Sequence, residues 1–463
     1  MIMKVYCVLF FILICFGCSK DKLQSNEPEL ASRLPRCISL MVSDHVSDRA
    51  SAYTDANKII EYGDYVFFVY LDVEYYVQIA KFEKSSKTLI DSYKLTSTVD
   101  NHGCPSIDID DDGYIYVLYG GHAAEIILSK TTNPCDISSW HSEVIKIGDS
   151  ELTYPVFKTY KGKQYLLVRK EEPKYVKGAV LYFMSRDGNS SVWNGKELFH
   201  GNHDRWLEEG VNLNTNSGYN RFYANMVIID DKIHISFHCS EYIPRLNTEK
   251  GEKQNSYCVG YLFSDDEGMN WKTLSGHTLH KYPANPYDLD LVAGNPEPCP
   301  SDPYFQISNL VLDKELPYIM HVDSYNTYSR VILNKLRYSG GIAYEVYDTD
   351  FNSEYYVCGE SALSMDKDGF LYMLLTVVNP EEFLGSRRYG APSTRLVWMV
   401  CDKECNVIKS DFVLPSSGEP VWLPNLGRQN TDVQYFIFTE GNNASSSTNR
   451  TCNKLWFGWI EWK

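Results

Sequence analysis

One short pattern returns seven times along this chain and restricts its fold more than any other feature. A tight turn, often Asp-Gly or Lys-Gly, leads into a brief strand rich in Tyr, Ile, Leu and Val. It occurs at Gly63–Phe68, Gly113–Val117, Gly162–Leu167, Asp231–Ile235, Leu316–Met320, Gly369–Met373 and Asp432–Phe436. The copies start roughly 50 to 85 residues apart, and no long helical periodicity intervenes. Short strands at repeated spacing predict an all-β fold, a single seven-bladed β-propeller with one blade per copy. The length of 463 residues would otherwise allow about three average domains, but all-β chains often exceed that size as one unit. Aromatic residues make up 14% of the chain, which favours strands over helices.

A second marker agrees. Ser264-Asp265-Asp266-Glu267-Gly268-Met269-Asn270-Trp271 fits the Asp-box pattern S-x-D-x-G-x-x-W. Its Asp and Gly suit a hairpin turn, and its Trp is expected to pack between neighbouring sheets. Ser185-Arg186-Asp187-Gly188, with Trp193 after it, reads as a decayed copy. The box is a structural marker and carries no catalytic chemistry.

The N-terminus reads as an address. Lys4 precedes an apolar run from Val5 to Phe16, too short to span a bilayer comfortably, and polar residues follow Cys18. The stretch Leu13-Ile14-Cys15-Phe16-Gly17-Cys18 looks like a bacterial lipobox, which makes Cys18 the lipidation site. The expected layout is a lipoprotein signal peptide over 1–17, a flexible leader over 18–44 and the propeller over 45–463. The expected location is the bacterial cell envelope, with the membrane touched only through the lipid anchor. Thirteen Cys are present, and export permits disulfides. Cys401 and Cys405 flank a short turn and are candidates for a local bridge.

Charge bounds the partners. The chain has 60 acidic against 44 basic residues, a formal charge of −16, and no Lys/Arg run. Nucleic acid is therefore not an expected partner. No GxGxxG opens a helix, and no P-loop or GxSxG elbow is present, so no organic cofactor is expected.

The chemistry concentrates in one segment, Asn101-His102-Gly103-Cys104-Pro105-Ser106, running through Asp111-Asp112-Gly113 to Gly120-Gly121-His122. Two His stand at opposite ends of one predicted hairpin unit, each beside a Gly where backbone can approach a ligand closely. Alone, either His reads as a structural residue; together they form a candidate acid/base pair.

This run resembles the BNR-repeat (Asp-box) polysaccharide lyases, the ulvan lyases and rhamnosyl-α-1,4-glucuronate lyases in particular. Thr153-Tyr154-Pro155, Arg169 and Arg221-Phe222-Tyr223 continue the resemblance, which is strongest over residues 101–271. It implies a seven-bladed propeller, in agreement with the repeat count. It also implies β-elimination at a 4-linked uronate, giving an unsaturated product from a rhamnose–glucuronate polymer such as ulvan or an arabinogalactan-type glycan. By the same resemblance His102, His122, Tyr154 and Tyr223 are the catalytic acid and base candidates, and Arg169 and Asn101 bind substrate. A guanidinium suits Arg169's task, because it stays cationic and matches a carboxylate in bidentate fashion.

Arg169 is followed by Lys170-Glu171-Glu172-Pro173, where relatives often carry Gly-x-His, so an ion pair to Glu171 or Glu172 is an alternative reading. His238, Cys239 and Cys258 fall where some relatives hold a structural zinc, and a Cys239–Cys258 disulfide is equally compatible. The implied partner is an anionic polysaccharide or oligosaccharide, and the expected state is a monomer. Two other readings compete: a non-catalytic glycan-binding propeller lipoprotein, and a sialidase-type glycoside hydrolase. The second lacks its early Arg-Ile-Pro motif here, since Arg33-Leu34-Pro35 lies in the leader.

Overall fold

Each of the seven recurrent segments becomes the second strand of its own small antiparallel sheet, so the repeat is the blade. This is a computed structural model. It describes residues 34–172, 178–201, 219–242, 254–297, 303–314, 316–325, 329–337, 343–349, 354–383, 390–413, 418–427, 431–443, 448 and 450–462. The expected signal peptide and Cys18 lie outside the described residues. Among the described residues no helix is long and apolar enough to cross a membrane.

The seven sheets follow one another in sequence as the blades of a β-propeller. Blade 1 runs from Ile59–Tyr62 to Thr88–Ser97, and blade 2 from Ser106–Ile109 to Asp136–Ile145. Blade 3 begins with Leu152–Tyr160, which the short strand His122–Ala124 flanks on its axial side. Blade 4 begins with Tyr219–Ile229, blade 5 with Tyr304–Asp313 and blade 6 with Ala362–Met365. Blade 7 is Val421–Leu426, Gln434–Glu440, Asn453–Trp462 and, from the other end of the chain, Pro35–Val46. Pro35 pairs with Trp462, Ile38 with Trp459 and Leu40 with Phe457, so the N-terminal strand closes the ring. This corrects the expected leader, because residues 35–44 form the outer strand of blade 7.

Apolar clusters fill the interfaces between successive blades. Phe68 and Phe82 of blade 1, for instance, pack on Tyr435, Phe457 and Trp459 of blade 7. The Asp-box behaves as a turn. Asp266 Oδ1 accepts from the Ser264 hydroxyl and the Asn270 N–H, both at 2.8 Å. Fully buried Trp271 meets the edge of Phe183 in blade 3 at 5.1 Å.

Residues 47–58, which lack a strand signature, form a buried plug between the blades near the propeller axis. Asn425 Nδ2 donates to the Tyr53 and Ala56 carbonyls at 3.2 Å, and Trp422 Nε1 donates to the Asp48 carbonyl at 2.7 Å. Asn57 Nδ2 donates to the Ile107 carbonyl of blade 2 at 3.0 Å.

The cysteine expectations are corrected. Cys239 and Cys258 are directly opposed across two strands of blade 4, yet both are thiols, as are Cys401 and Cys405. The Cys239 thiol donates to the Tyr257 hydroxyl at 3.0 Å.

Candidate active site

Successive side chains of a strand face opposite ways, so a cleft on the propeller axis can draw only on selected positions of each blade. Those positions cluster at the starts of the first strands and at the ends of the second strands that run back beside them. Tyr154 and Tyr223 lie near the starts of the first strands of blades 3 and 4. Arg169 sits on the second strand of blade 3 opposite Thr153, and His238 on that of blade 4 opposite Tyr223. His102 precedes the first strand of blade 2, and His122 follows its second strand.

The hairpin between the two His returns its ends to one place. The Gly120 N–H donates to the Gly103 carbonyl at 3.1 Å, and the His102 and His122 rings stack with centroids 4.1 Å apart. Gly103 is required there, because a Cβ on it would lie 2.3 Å from Thr98 Oγ1. Gly121 adopts φ +66°, a conformation glycine reaches without strain.

One carboxylate holds both imidazoles. Asp100 Oδ2 lies 2.7 Å from His122 Nδ1, and Oδ1 lies 3.2 Å from His102 Nδ1 and 2.8 Å from the His102 N–H. An ionised carboxylate only accepts, so each Nδ1 carries the hydrogen, and the neutral form of either ring presents a bare Nε2. Burial works against the charge of Asp100, but the bonds from His102 and His122 outweigh it and hold the carboxyl well below its usual range. Burial pushes His102 down to about 4; Asp100 opposes this, and Arg49 and His122 add to it. His102 is therefore neutral near pH 7.

Aromatic rings complete the cleft. Tyr154 stacks on Tyr223 at 5.1 Å and on His122 at 6.3 Å, and Tyr223 stacks on His238 at 5.0 Å. Tyr53, carried in by the plug, stands 5.0 Å from Tyr154, 6.0 Å from Tyr223 and 6.3 Å from His102. Arg49 Nη1 donates to the Tyr53 hydroxyl. Tyr154 has φ +54° at a break in strand register between Thr153 and Val156. Such backbone strain costs about 1–3 kcal/mol and is held by the surrounding structure where it aims a side chain.

Arg169 is buried, with its guanidinium carbon 4.8 Å from the centre of the Tyr154 ring. Glu171 stands 3.2 Å from its Nε, so the ion pair read from the sequence forms, between a buried Arg169 and a partly exposed Glu171. Nη1 is also buried and has no hydrogen-bond acceptor among the described residues. A buried cation with an unmet donor is poised for an anionic group from outside.

The structure thus brings His102, His122, Tyr154, Arg169 and Tyr223 together. Asn101 is different: it is 1% exposed, and its Nδ2 donates to Asp48 at 2.8 Å. It ties the loop to the plug and offers no surface to a substrate. The zinc set is corrected too. Cys239 and Cys258 face the core between blades 3 and 4, whereas the neighbouring His238 points the other way, onto Tyr223. Among the described residues the donor cluster tight enough for a metal is Asp100, His102 and His122.

Sequence reasoning missed Asp100, Tyr53 and Arg49. Asp100 directly precedes Asn101-His102, so a carboxylate beside a candidate base was a visible signal. Nothing in residues 47–58 announced a segment that enters the axis.

The plug also carries a charged group the cleft does not use. The Lys58 ammonium is fully buried, donates to the Pro105 carbonyl at 2.6 Å and meets Cys104 Sγ at 3.5 Å. Burial lowers its affinity for the proton. Glu360 accepts from the Thr54 N–H at 3.0 Å, and burial, reinforced by Asp55, pushes its carboxyl up to about 8.

The sequence profile of the BNR repeat-containing family matches residues 65–298, half of the chain. The chain belongs to the BNR repeat-containing family. Solved structures agree with the BNR-family propeller fold. Two structures titled as a new family of polysaccharide lyase, the PL25 ulvan lyase, are each 13% identical and cover 91% of this chain and 95% of theirs, with TM-scores of 0.66 and 0.67. The second of them is bound to -[GlcA(1-4)Rha3S]-. The polysaccharide lyase Uly1 is 14% identical over 92% of this chain and 99% of its own, with a TM-score of 0.55. No curated protein matches this BNR-family chain.

Proposed function

We propose that this protein is a polysaccharide lyase that cleaves a 4-linked uronate by β-elimination. The observation that carries the reading is the shared carboxylate: Asp100 fixes two stacked imidazoles beside Tyr154 and a buried guanidinium with an unmet donor. The C5 proton of a uronate is weakly acidic, so its carboxylate must be neutralised while charge develops. Arg169 supplies that cation, its planar fork facing the substrate carboxylate. An imidazole with its Nδ1 hydrogen donated to Asp100 takes the C5 proton on Nε2. We assign this to His122, whose side chain is 35% exposed against 13% for His102. The C5–H electrons form the C4–C5 double bond, the C4–O4 bond breaks, and the Tyr154 hydroxyl passes its proton to O4. No water enters the product.

The substrate class we infer is a rhamnose–glucuronate polymer such as ulvan. Similarity of fold to ulvan lyases supports it, and so does the run from Asn101 to His122. The net charge of −16 opposes a polyanion at long range, but salt screens that field beyond about 8 Å, while Arg49 and Arg169 act at contact. We further place the protein at the cell envelope on a lipidated Cys18, with Cys18→Ser releasing it from membranes. The deciding experiment incubates the protein with a panel of uronate polysaccharides and follows the ultraviolet absorbance of the unsaturated product. Saturated ends, or no cleavage of any polymer, would defeat the lyase reading.

A further inference from the structure

Beside the cleft, between the loops of blades 1 and 7, runs a polar groove of about 450 Å³. That volume lies within the ~300–1,000 Å³ of small-ligand sites. Tyr75, Tyr76, Thr98 and Arg450 line it, with Glu74 as its acidic member. Thr98 connects the groove to the chemistry. Its N–H donates to the Tyr75 carbonyl at 2.8 Å, and its hydroxyl donates to the carbonyl of Asp100 at 2.9 Å, the residue that holds both imidazoles.

Charge and hydrogen bonding in the groove are unbalanced. Glu74 lies 4.0 Å from Lys94, which also pairs with Asp72 at 3.3 Å, so the groove's carboxylate has a counter-charge. Arg450 is exposed, lies over the Tyr75 ring at 5.5 Å and has no carboxylate in ion-pair range among the described residues. Tyr75 is 4% exposed, with φ +66°, and its hydroxyl has no hydrogen-bond partner among the described residues. An exposed guanidinium with no carboxylate in ion-pair range and a buried hydroxyl with no hydrogen-bond partner, both among the described residues and in one groove, match a ligand with an anion and hydroxyl groups.

We propose that this groove is a second subsite for the polymer, in which Arg450 binds the anionic group of a sugar unit beyond the one cleaved. The anion is a sulfate ester or a uronate carboxylate. This rests on the reading of the substrate as an anionic polysaccharide.

The test compares wild type with Arg450→Ala on three substrates: a long sulfated rhamnose–glucuronate polymer, the same polymer desulfated, and a short oligosaccharide spanning only the cleaved linkage. A lost charge-assisted contact should raise KM on the sulfated polymer about tenfold and leave kcat unchanged. The short substrate should show no difference. Loss on the sulfated polymer alone identifies sulfate, and loss on both polymers identifies the carboxylate. Unchanged KM on both polymers overturns the proposal. If wild type yields no unsaturated product, calorimetric binding of the sulfated polymer replaces KM. Weaker binding by Arg450→Ala then supports the groove although the lyase reading has failed, and equal or absent binding overturns it.

Discussion

Asp100 Oδ2 lies 2.7 Å from His122 Nδ1 while its other oxygen lies 3.2 Å from His102 Nδ1, so one carboxylate orients two imidazoles. Because Asp100 accepts from both rings, it selects the tautomer that leaves each Nε2 bare. Asp100→Asn keeps the shape but presents an amide that can donate as well as accept, so the tautomers are no longer fixed. Turnover of a uronate polymer should fall by roughly 10²-fold or more while the thermal midpoint changes little. A variant with full turnover would show that the pair works without this carboxylate.

Arg169→Lys keeps a cation but loses the planar fork beside Tyr154. Activity should fall by roughly 10²-fold, with far-ultraviolet circular dichroism unchanged. Tyr154→Phe removes only the hydroxyl and should slow turnover more than it raises KM, the pattern of a proton donor used in the transition state. An equal rise in KM without loss of kcat would instead make Tyr154 a binding surface.

The blade count was legible because each turn-and-strand copy has to hide the same apolar face, and all seven proved to be second strands. The candidate cluster was legible between residues 101 and 223, where a Gly stands beside each His and where Tyr154, Arg169 and Tyr223 match positions of the lyases this sequence resembles. Its supports were not. Residues 47–58 carry no periodicity, because their burial comes from hydrogen bonds to blades far away in sequence, such as Asn425 to Tyr53. The zinc set failed for a local reason: neighbours in a strand, His238 and Cys239, cannot turn to the same point. The leader boundary failed because Pro35–Val46 is a strand only by virtue of its partner at the C-terminus.

Glu360 gives the protein a stability that depends on pH. Burial, reinforced by Asp55, raises its carboxyl to about 8 from an ordinary 4.5, while the Thr54 N–H, Lys58 and Arg49 favour the charged form. Between those values the folded protein keeps a proton that the unfolded chain has released, so stability falls as pH rises through the window up to about 8. Glu360→Gln removes that titration and should flatten the fall. The thermal midpoint of wild type and variant, measured across about pH 5 to 9, checks this; parallel curves would mean that Glu360 is charged throughout.

Closure of the ring makes the last prediction. The strand Pro35–Val46 covers the edge of Asn453–Trp462, with Ile38, Leu40 and Val42 packed against the core shared by blades 7 and 1. Arg36 and Lys87 both pair with Glu461 across that seam. A chain beginning at residue 47 would leave the backbone donors and acceptors of a long apolar strand open to other molecules. Its thermal midpoint should drop by roughly 10 °C or more, and it should aggregate at concentrations where the longer chain stays dispersed. Met41→Lys, at a half-exposed position of the same strand, should change neither property, which separates loss of the edge cover from a general effect of altering this segment. A truncated chain with the full midpoint would mean that blade 7 is complete with three strands.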